Sequence, residues 1–232
     1  MALIHSIRAR LERPGAAGLC RLLEAAAGEH AALLGVGIGD LRREGRAWML
    51  ARLGLRARRW PEAGEELEIL TWPSRRSAGA RAWREFEVLS GGAPVAEAAT
   101  VWLIVDLERR RPVRLPQFLL ELPFPARDTG VEFTDAPAPG GAPSLAAQWR
   151  VQPAHLDVND HVNNVTYIEW GEQEAGGAPG TALQADYLGE ARLGDPILCL
   201  SWSQWEGRRW VQVILSGDRT CAALQWWQAD IR

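Results

Sequence analysis

The feature that most constrains this chain is a repeated phrase: Gly64-Glu-Glu-Leu-Glu-Ile-Leu-Thr-Trp72 returns as Gly194-Asp-Pro-Ile-Leu-Cys-Leu-Ser-Trp202, with glycine, leucine or isoleucine, leucine and tryptophan in phase. The order of elements around the two copies also repeats. Leu19, Leu22, Leu23, Ala26, Ala27 and Leu33 recur at helical spacing from Gly15 to Leu34 and stop at Gly35, Gly37 and Gly39. Strand-like runs follow at Ala47 to Leu55, Glu65 to Trp72, Ala82 to Leu89 and Val95 to Val105, divided by Pro61, Gly64, Pro73, Gly79, Gly91 and Gly92. The stretch from Leu115 to Ser144 carries Pro116, Pro123, Pro125, Pro137, Pro139 and Pro143, which exclude a long regular element. Beyond it come a strand at Ala147 to Gln152, a helix near Val165 to Glu174, and strands near Ile197 to Trp205, Arg209 to Leu215 and Cys221 to Ala229. A helix plus an antiparallel meander, used twice, is an α+β duplication. We divide it into an N-terminal unit at 1–114, a linker at 115–146 and a C-terminal unit at 147–232. Pairing the two sheets edge to edge protects their exposed strands.

The units differ in chemistry. Only the second carries His155-Leu-Asp157-Val-Asn159-Asp160-His161-Val-Asn163-Asn164 at a helix entry; the first helix entry, Leu11-Glu-Arg-Pro14, has nothing similar. Asp157, Asn159 and His161 alternate and can face one side, while Asn163 or Asn164 caps the helix. Backbone N–H groups after His161 are then expected to point, unpaired, at an anion or a developing oxyanion. The structural alternative makes Asp157 and Asn159 Asx-turn residues and Asn163 and Asn164 plain caps.

The pattern D-x-N-x-H-x-N-N-x-x-Y-[IL]-x-W resembles the catalytic signature of the plant and bacterial acyl-acyl-carrier-protein thioesterases. Trp48-Met-Leu-Ala-Arg-Leu-Gly-Leu55, Thr71-Trp72-Pro73, Arg84-Glu85-Phe86 and Val105-Asp-Leu-Glu108 followed by Arg110-Arg-Pro-Val113 extend the resemblance over nearly the whole chain. It implies a tandem (double) hot-dog fold, each unit a curved antiparallel sheet around a helix. The implied activity is hydrolysis of fatty acyl-carrier thioesters, with an acyl-coenzyme A thioesterase and a non-catalytic acyl-binding protein as the alternatives. The implied functional set is Asp157, Asn159 and His161 plus Glu190, the last a glutamate from the following strand matched through Tyr187-Leu-Gly-Glu190-Ala191. Asp157 with Glu190 would activate water, His161 would share the proton, and Asn159 would polarise the carbonyl. Ala191 stands where some relatives have cysteine, which excludes a thiol nucleophile there. Another departure is Gly171-Glu172-Gln173-Glu174-Ala175-Gly176-Gly177, where relatives continue the helix with apolar residues.

The constant offset of the repeat sets Trp60 opposite Glu190. We read Asn163, Asn164, Trp48 and Trp60 as candidate substrate contacts, although Trp48, Trp60, Trp72, Trp83 and Trp102 in strands are ordinarily core. All basic residues are arginine, and clusters at Arg56, Arg58 and Arg59, at Arg75 and Arg76 and at Arg109 to Arg111 could dock an acidic carrier protein and its phosphopantetheine. The formal charge of −3 argues against nucleic acid. Neither a signal-peptide apolar core nor a run long enough to span a membrane is present. Cys20, Cys199 and Cys221 lack metal-ligand spacing and sit among apolar residues, as free thiols do in a reducing cytoplasm. No cofactor or metal is expected, and a homodimer is possible.

Overall fold

The computed structural model describes residues 3–135, 141–175, 180–205, 208–215 and 219–229. In chain order the elements are β1 (His5–Arg10), α1 (Gly15–Leu33), α2 (Ile38–Arg43), β2 (Arg46–Ala57), β3 (Glu66–Pro73), β4 (Arg81–Ser90), β5 (Ala93–Asp106), β6 (Arg111–Val113), α3 (Gln117–Leu120), β7 (Ser144–Arg150), α4 (Asn164–Ala175), β8 (Ala182–Tyr187), β9 (Pro196–Trp205), β10 (Arg208–Leu215) and β11 (Thr220–Trp227). The strands form one antiparallel sheet in the order β1-β3-β4-β5-β2-β8-β11-β10-β9-β7, with β6 paired to β5. Read from its two ends, that order is the same: first strand, third, fourth, fifth, second, then the same five places of the other unit. The duplication seen in the phrase around Trp72 and Trp202 therefore holds for the topology.

The halves join where Leu53 faces Ala185 and Leu55 faces Leu183 across β2 and β8. The edge-to-edge pairing expected from the repeat is present, and it makes the sheet continuous. β8 itself escaped the sequence reading. Ala182, Leu183, Gln184 and Ala185 are all buried, so no polar alternation marks the strand.

Helices α1 and α4 lie side by side against this sheet. Leu19, Cys20, Leu23 and Ala26 of α1 share one core with Val165, Tyr167, Ile168 and Trp170 of α4. Pro14 supplies no side-chain cap for α1. Instead Glu172 of α4 accepts from Ala16 N–H at 2.6 Å and Ala17 N–H at 3.3 Å, placing a carboxylate on the positive end of α1. Its neighbour Gly171 sits against β11, where a Cβ would come within 2.5 Å of both Leu224 and Trp226. The polar Gly171-Glu172 departure is thus what brings α4 onto the sheet and joins it to α1; the following Gly176 and Gly177 lie outside the described residues.

Over its described residues the proline-rich connection is irregular apart from α3, and its part around Val131 and Thr134 is strapped across the seam of the sheet. Gly54 makes room for it, since a Cβ there would meet Val131 Cγ1 at 2.8 Å. Gln184 accepts from Thr134 N–H and donates to Thr134 O, both at 2.9 Å, so a buried side-chain amide takes the place of a backbone ladder partner. Gln184→Leu is expected to lower stability by about 1–3 kcal/mol in chemical denaturation, because strap polar groups lose their buried partner; an unchanged midpoint would show that the strap is held elsewhere.

Candidate active site

The segment between β7 and α4 folds as a tight turn around Asp157. The Asp157 N–H donates to His161 O at 2.8 Å, while Asp157 Oδ1 accepts from Asn159 N–H at 2.8 Å and His161 N–H at 3.3 Å. Asp157 Oδ2 accepts from Asn159 Nδ2 at 3.3 Å. Asp160 takes a φ of 60°, a left-handed conformation that aspartate tolerates at turns. The Asx-turn reading of Asp157 is realised, and the same bonds fix its carboxylate against Asn159. A side chain from the other unit completes the turn: Arg42 of α2 donates to Val158 O at 2.9 Å and to Asn159 Oδ1 at 3.1 Å.

Asn163 caps α4, its Oδ1 accepting from Val165 N–H at 2.8 Å and its backbone O from Thr166 N–H at 2.9 Å. This corrects the expectation of several unpaired amides after His161. Val162 N–H donates to Ala191 O and Asn163 N–H to His155 O, both at 2.9 Å. Among the described residues, Asn164 N–H is the amide of this entry left without a protein acceptor.

These groups close one end of a cavity of about 600 Å³. Asp157, Val158, Asn159, Asn163 and Asn164 line that end, and the remaining wall comes from the first unit and the start of the connection that follows it. Ala27, Gly28, Ala31 and Leu34 run along α1, facing Ile38, Trp48, Trp83, Trp102, Leu115 and Leu119. Trp48 is held by a 2.7 Å bond from its indole N–H to Val36 O and meets Trp102 edge-on. Trp48 therefore lines the cavity. Trp60 does not: its indole N–H donates to Gly180 O at 2.9 Å, and its ring packs on the main core. The offset from Glu190 was nonetheless meaningful, since Trp60 follows β2 as Glu190 follows β8.

His161 and Glu190 form a second couple behind the turn. His161 Nε2 lies 3.4 Å from Glu190 Oε2, Arg110 approaches the same oxygen at 3.7 Å, and Arg219 donates to Glu190 O at 3.0 Å. Glu190 belongs to the loop between β8 and β9, where the resemblance implied a strand. Neither residue is among those lining the cavity. The four expected side chains thus fall into two pairs on one loop system, Asp157 with Asn159 inside and His161 with Glu190 outside.

Sequence reasoning missed a second carboxylate at the cavity. Glu24 of α1 sits beside Asn163, whose Nδ2 donates to Glu24 Oε2 at 3.4 Å, and it lines the same space as Asp157. Burial raises its pKa to about 7, with hydrogen bonds from Asn163 and Asn164 and the charge of Arg21 opposing that shift and the charge of Asp157 adding to it. A glutamate within an apolar helix period carries no local signal; only the packing of α1 on α4 reveals it.

A continuous curved antiparallel sheet around two central helices, with a polar helix entry opening on an apolar cavity, defines a double hot-dog protein. The acyl-ACP thioesterase N-terminal domain model matches residues 15–122 and the acyl-ACP thioesterase C-terminal domain model residues 142–211. The chain belongs to the acyl-ACP thioesterase family. The chloroplastic palmitoyl-acyl carrier protein thioesterase of Gossypium hirsutum is 29% identical over 157 residues, covering 60% of this chain and 37% of its own length. That of Arabidopsis thaliana is 28% identical over 156 residues, with the same coverage. The chain thus spans well under half the length of these relatives. An acyl-ACP thioesterase from Bacteroides thetaiotaomicron superposes with a TM-score of 0.83 at 21% identity, covering 98% of this chain and 99% of the other. The 12:0-ACP thioesterase of Umbellularia californica superposes at 0.79 with 15% identity, covering 98% and 97%. At such identities the superpositions bear on the fold.

Proposed function

We propose that this chain hydrolyses the thioester of a fatty acyl chain carried on acyl carrier protein, releasing the free acid. The observation that carries the reading is the composite cavity: an apolar wall built by one unit ends on a carboxylate, amides and a helix N-terminus supplied by the other. The acyl chain lies along α1, and its carbonyl meets the positive end of α4 at Asn164 N–H, with the Asn159 amide beside it. Water sits between Asp157 and Glu24. Asp157, held in place by the turn and with an acceptor site left on Oδ2, orients it; Glu24 takes its proton, and the hydroxide attacks the carbonyl carbon. The resulting oxyanion is held by the helix terminus, as preorganised donors hold developing charge. Collapse breaks the carbon–sulfur bond and expels the pantetheine thiolate, which takes the proton from Glu24. His161 and Glu190 brace the turn from outside.

Turnover on matched acyl-carrier and acyl-coenzyme A substrates tests this reading. Faster hydrolysis from the carrier protein supports it. Equal or faster hydrolysis of coenzyme A esters would move the assignment to that carrier, and tight acyl binding without turnover would make the chain a binding protein.

The carrier is expected to dock over Arg109 to Arg111. Most arginines of the other clusters are paired, Arg56 and Arg58 with Glu97, Arg59 with Glu65 and Arg76 with Glu132, while Arg75 is exposed. In the Arg109 to Arg111 cluster Arg109 pairs with Asp106 and Arg110 with Glu190, the partner of His161, so this cluster adjoins the candidate site, and Arg111 is exposed. Arg111→Glu should raise KM for the carrier-linked substrate severalfold at low salt, an effect that shrinks as salt screens it. Arg58→Glu should change KM little, and equal effects from both variants would remove the docking assignment. Cys20, Cys199 and Cys221 are buried free thiols, which supports placing the chain in a reducing cytoplasm.

A further inference from the structure

The acyl cavity carries a charge that a purely hydrocarbon ligand cannot use. Arg84 of β4 forms part of its wall and follows Trp83, another wall residue. The guanidinium Nη1 lies 3.1 Å from His30 Nδ1 and donates to Thr71 Oγ1 at 3.2 Å; both are uncharged acceptors, given that His30 must be unprotonated at Nδ1 to accept. Among the described residues no carboxylate lies within ion-pair distance of Arg84. The other arginines of the wall are engaged: Arg46 pairs with Glu44 at 2.9 Å, and Arg42 holds the turn at Val158 and Asn159. Burial alone holds the Arg84 pKa down to about 10.

A half-buried cation without a counter-ion on an apolar cavity wall is unfavourable, and a well-packed apolar side chain of similar volume would serve a greasy tunnel better. Arg84 is therefore out of place unless the ligand brings an acceptor to it. Its partner His30 fixes where that acceptor must be. His30 lies six residues beyond Glu24 on α1, or about 9 Å along the axis at about 1.5 Å per residue. Glu24 marks the thioester end, so the acceptor belongs several carbons down the acyl chain.

We infer that Arg84 is a subsite for an oxygen-bearing group on the acyl chain, a hydroxyl, keto or carboxylate oxygen placed well beyond the thioester. This inference rests on the hydrolase reading for the chain's orientation. The guanidinium donates to that oxygen, and a plain chain of equal length leaves the cation without its acceptor. Sites built around a buried donor reject ligands lacking the matching acceptor more strongly than apolar pockets reject an extra methylene.

The test compares kcat/KM for carrier-linked acyl chains of one length, plain or bearing a distal hydroxyl or terminal carboxylate. Wild-type protein should favour an oxygenated chain by about 10–100-fold, the range expected for a hydrogen bond to a charged group. R84M should bring the ratio to about one or invert it, whereas R84K, which keeps charge without the fork, should give an intermediate ratio and decides the matter if R84M does not fold. Equal or plain-preferring wild-type turnover, or a ratio that survives in R84M, overturns the subsite. If no acyl-carrier substrate is hydrolysed at all, the hydrolase reading fails separately. Calorimetric binding of free ω-carboxy and plain fatty acids then tests Arg84 by itself: tighter binding of the oxygenated acid in wild type, lost in R84M, supports it, and equal binding overturns it.

Discussion

Glu24→Gln should lower kcat by about 10²–10⁴-fold, the usual contribution of a positioned acid or base, and should remove the pH dependence of turnover near neutrality. The sign follows from burial. A carboxyl whose pKa is raised from 4.5 to about 7 is ionised, and able to take a proton from water, only as pH climbs through about 7. Wild-type kcat should accordingly rise toward pH 7 and level off above it. Stability runs the other way. The protonated form is favoured in the fold, so this group's contribution is complete below its unfolded pKa and is lost as pH rises through about 7. The melting temperature of Glu24→Gln relative to wild type should therefore improve between pH 4.5 and pH 8. The groups facing Glu24 are Arg21 on its own helix and Asp157, Asn163 and Asn164 from the second unit, so the slope reports this cluster. A glutamine variant that keeps both the rising limb and the wild-type rate would remove Glu24 from the chemistry.

Asp157→Asn is the second large effect. Its Oδ1 can still accept from the amides of Asn159 and His161, so the turn should persist and the protein should melt near the wild-type temperature. What is lost is the charge at the cavity wall and the acceptor for Asn159 Nδ2, which then faces another amide donor. We expect kcat to fall by about 10²-fold or more, with KM changed far less. The two variants should separate by pH profile. Asp157→Asn retains the rising limb at a lower plateau, because Glu24 is intact, and Glu24→Gln loses it. The opposite pattern would make Asp157 the proton acceptor and Glu24 its neighbour.

Much of the fold was legible because the sheet keeps its local grammar where one face meets solvent or the strap. Glycines and prolines at Pro61, Gly64, Pro73, Gly79, Gly91 and Gly92 bounded β2 to β5 to within a few residues, and the helical period from Gly15 found α1. β8 was missed because the strand at the seam is buried on both sides, and β1, α2 and β6 because they are short. The site divides similarly. Asp157, Asn159, His161 and Asn163 lie within one stretch of chain, so their association could be read from spacing. Glu24 and Arg42 reach that stretch from the first unit and Arg110 reaches Glu190, and nothing local in their surroundings distinguishes them from solvated helix or turn charges. The strap was seen as irregular, but its attachment to Gly54 and Gln184 depends on residues far away in sequence.

The carboxylate that α4 extends to the start of α1 has a consequence for the chain as a whole. The two halves complete each other: α1 takes its terminal anion from the second copy, and the second copy's turn takes a guanidinium from the first. Neither half is a self-sufficient module. Severing them between β6 and β7 would strip α1 of its anion and bare the long flanks of β2 and β8 to unwanted pairing. Duplication has in this way yielded an inseparable couple, in which the first copy supplies most of the container together with one carboxylate, Glu24, and the second supplies the polar turn that faces it.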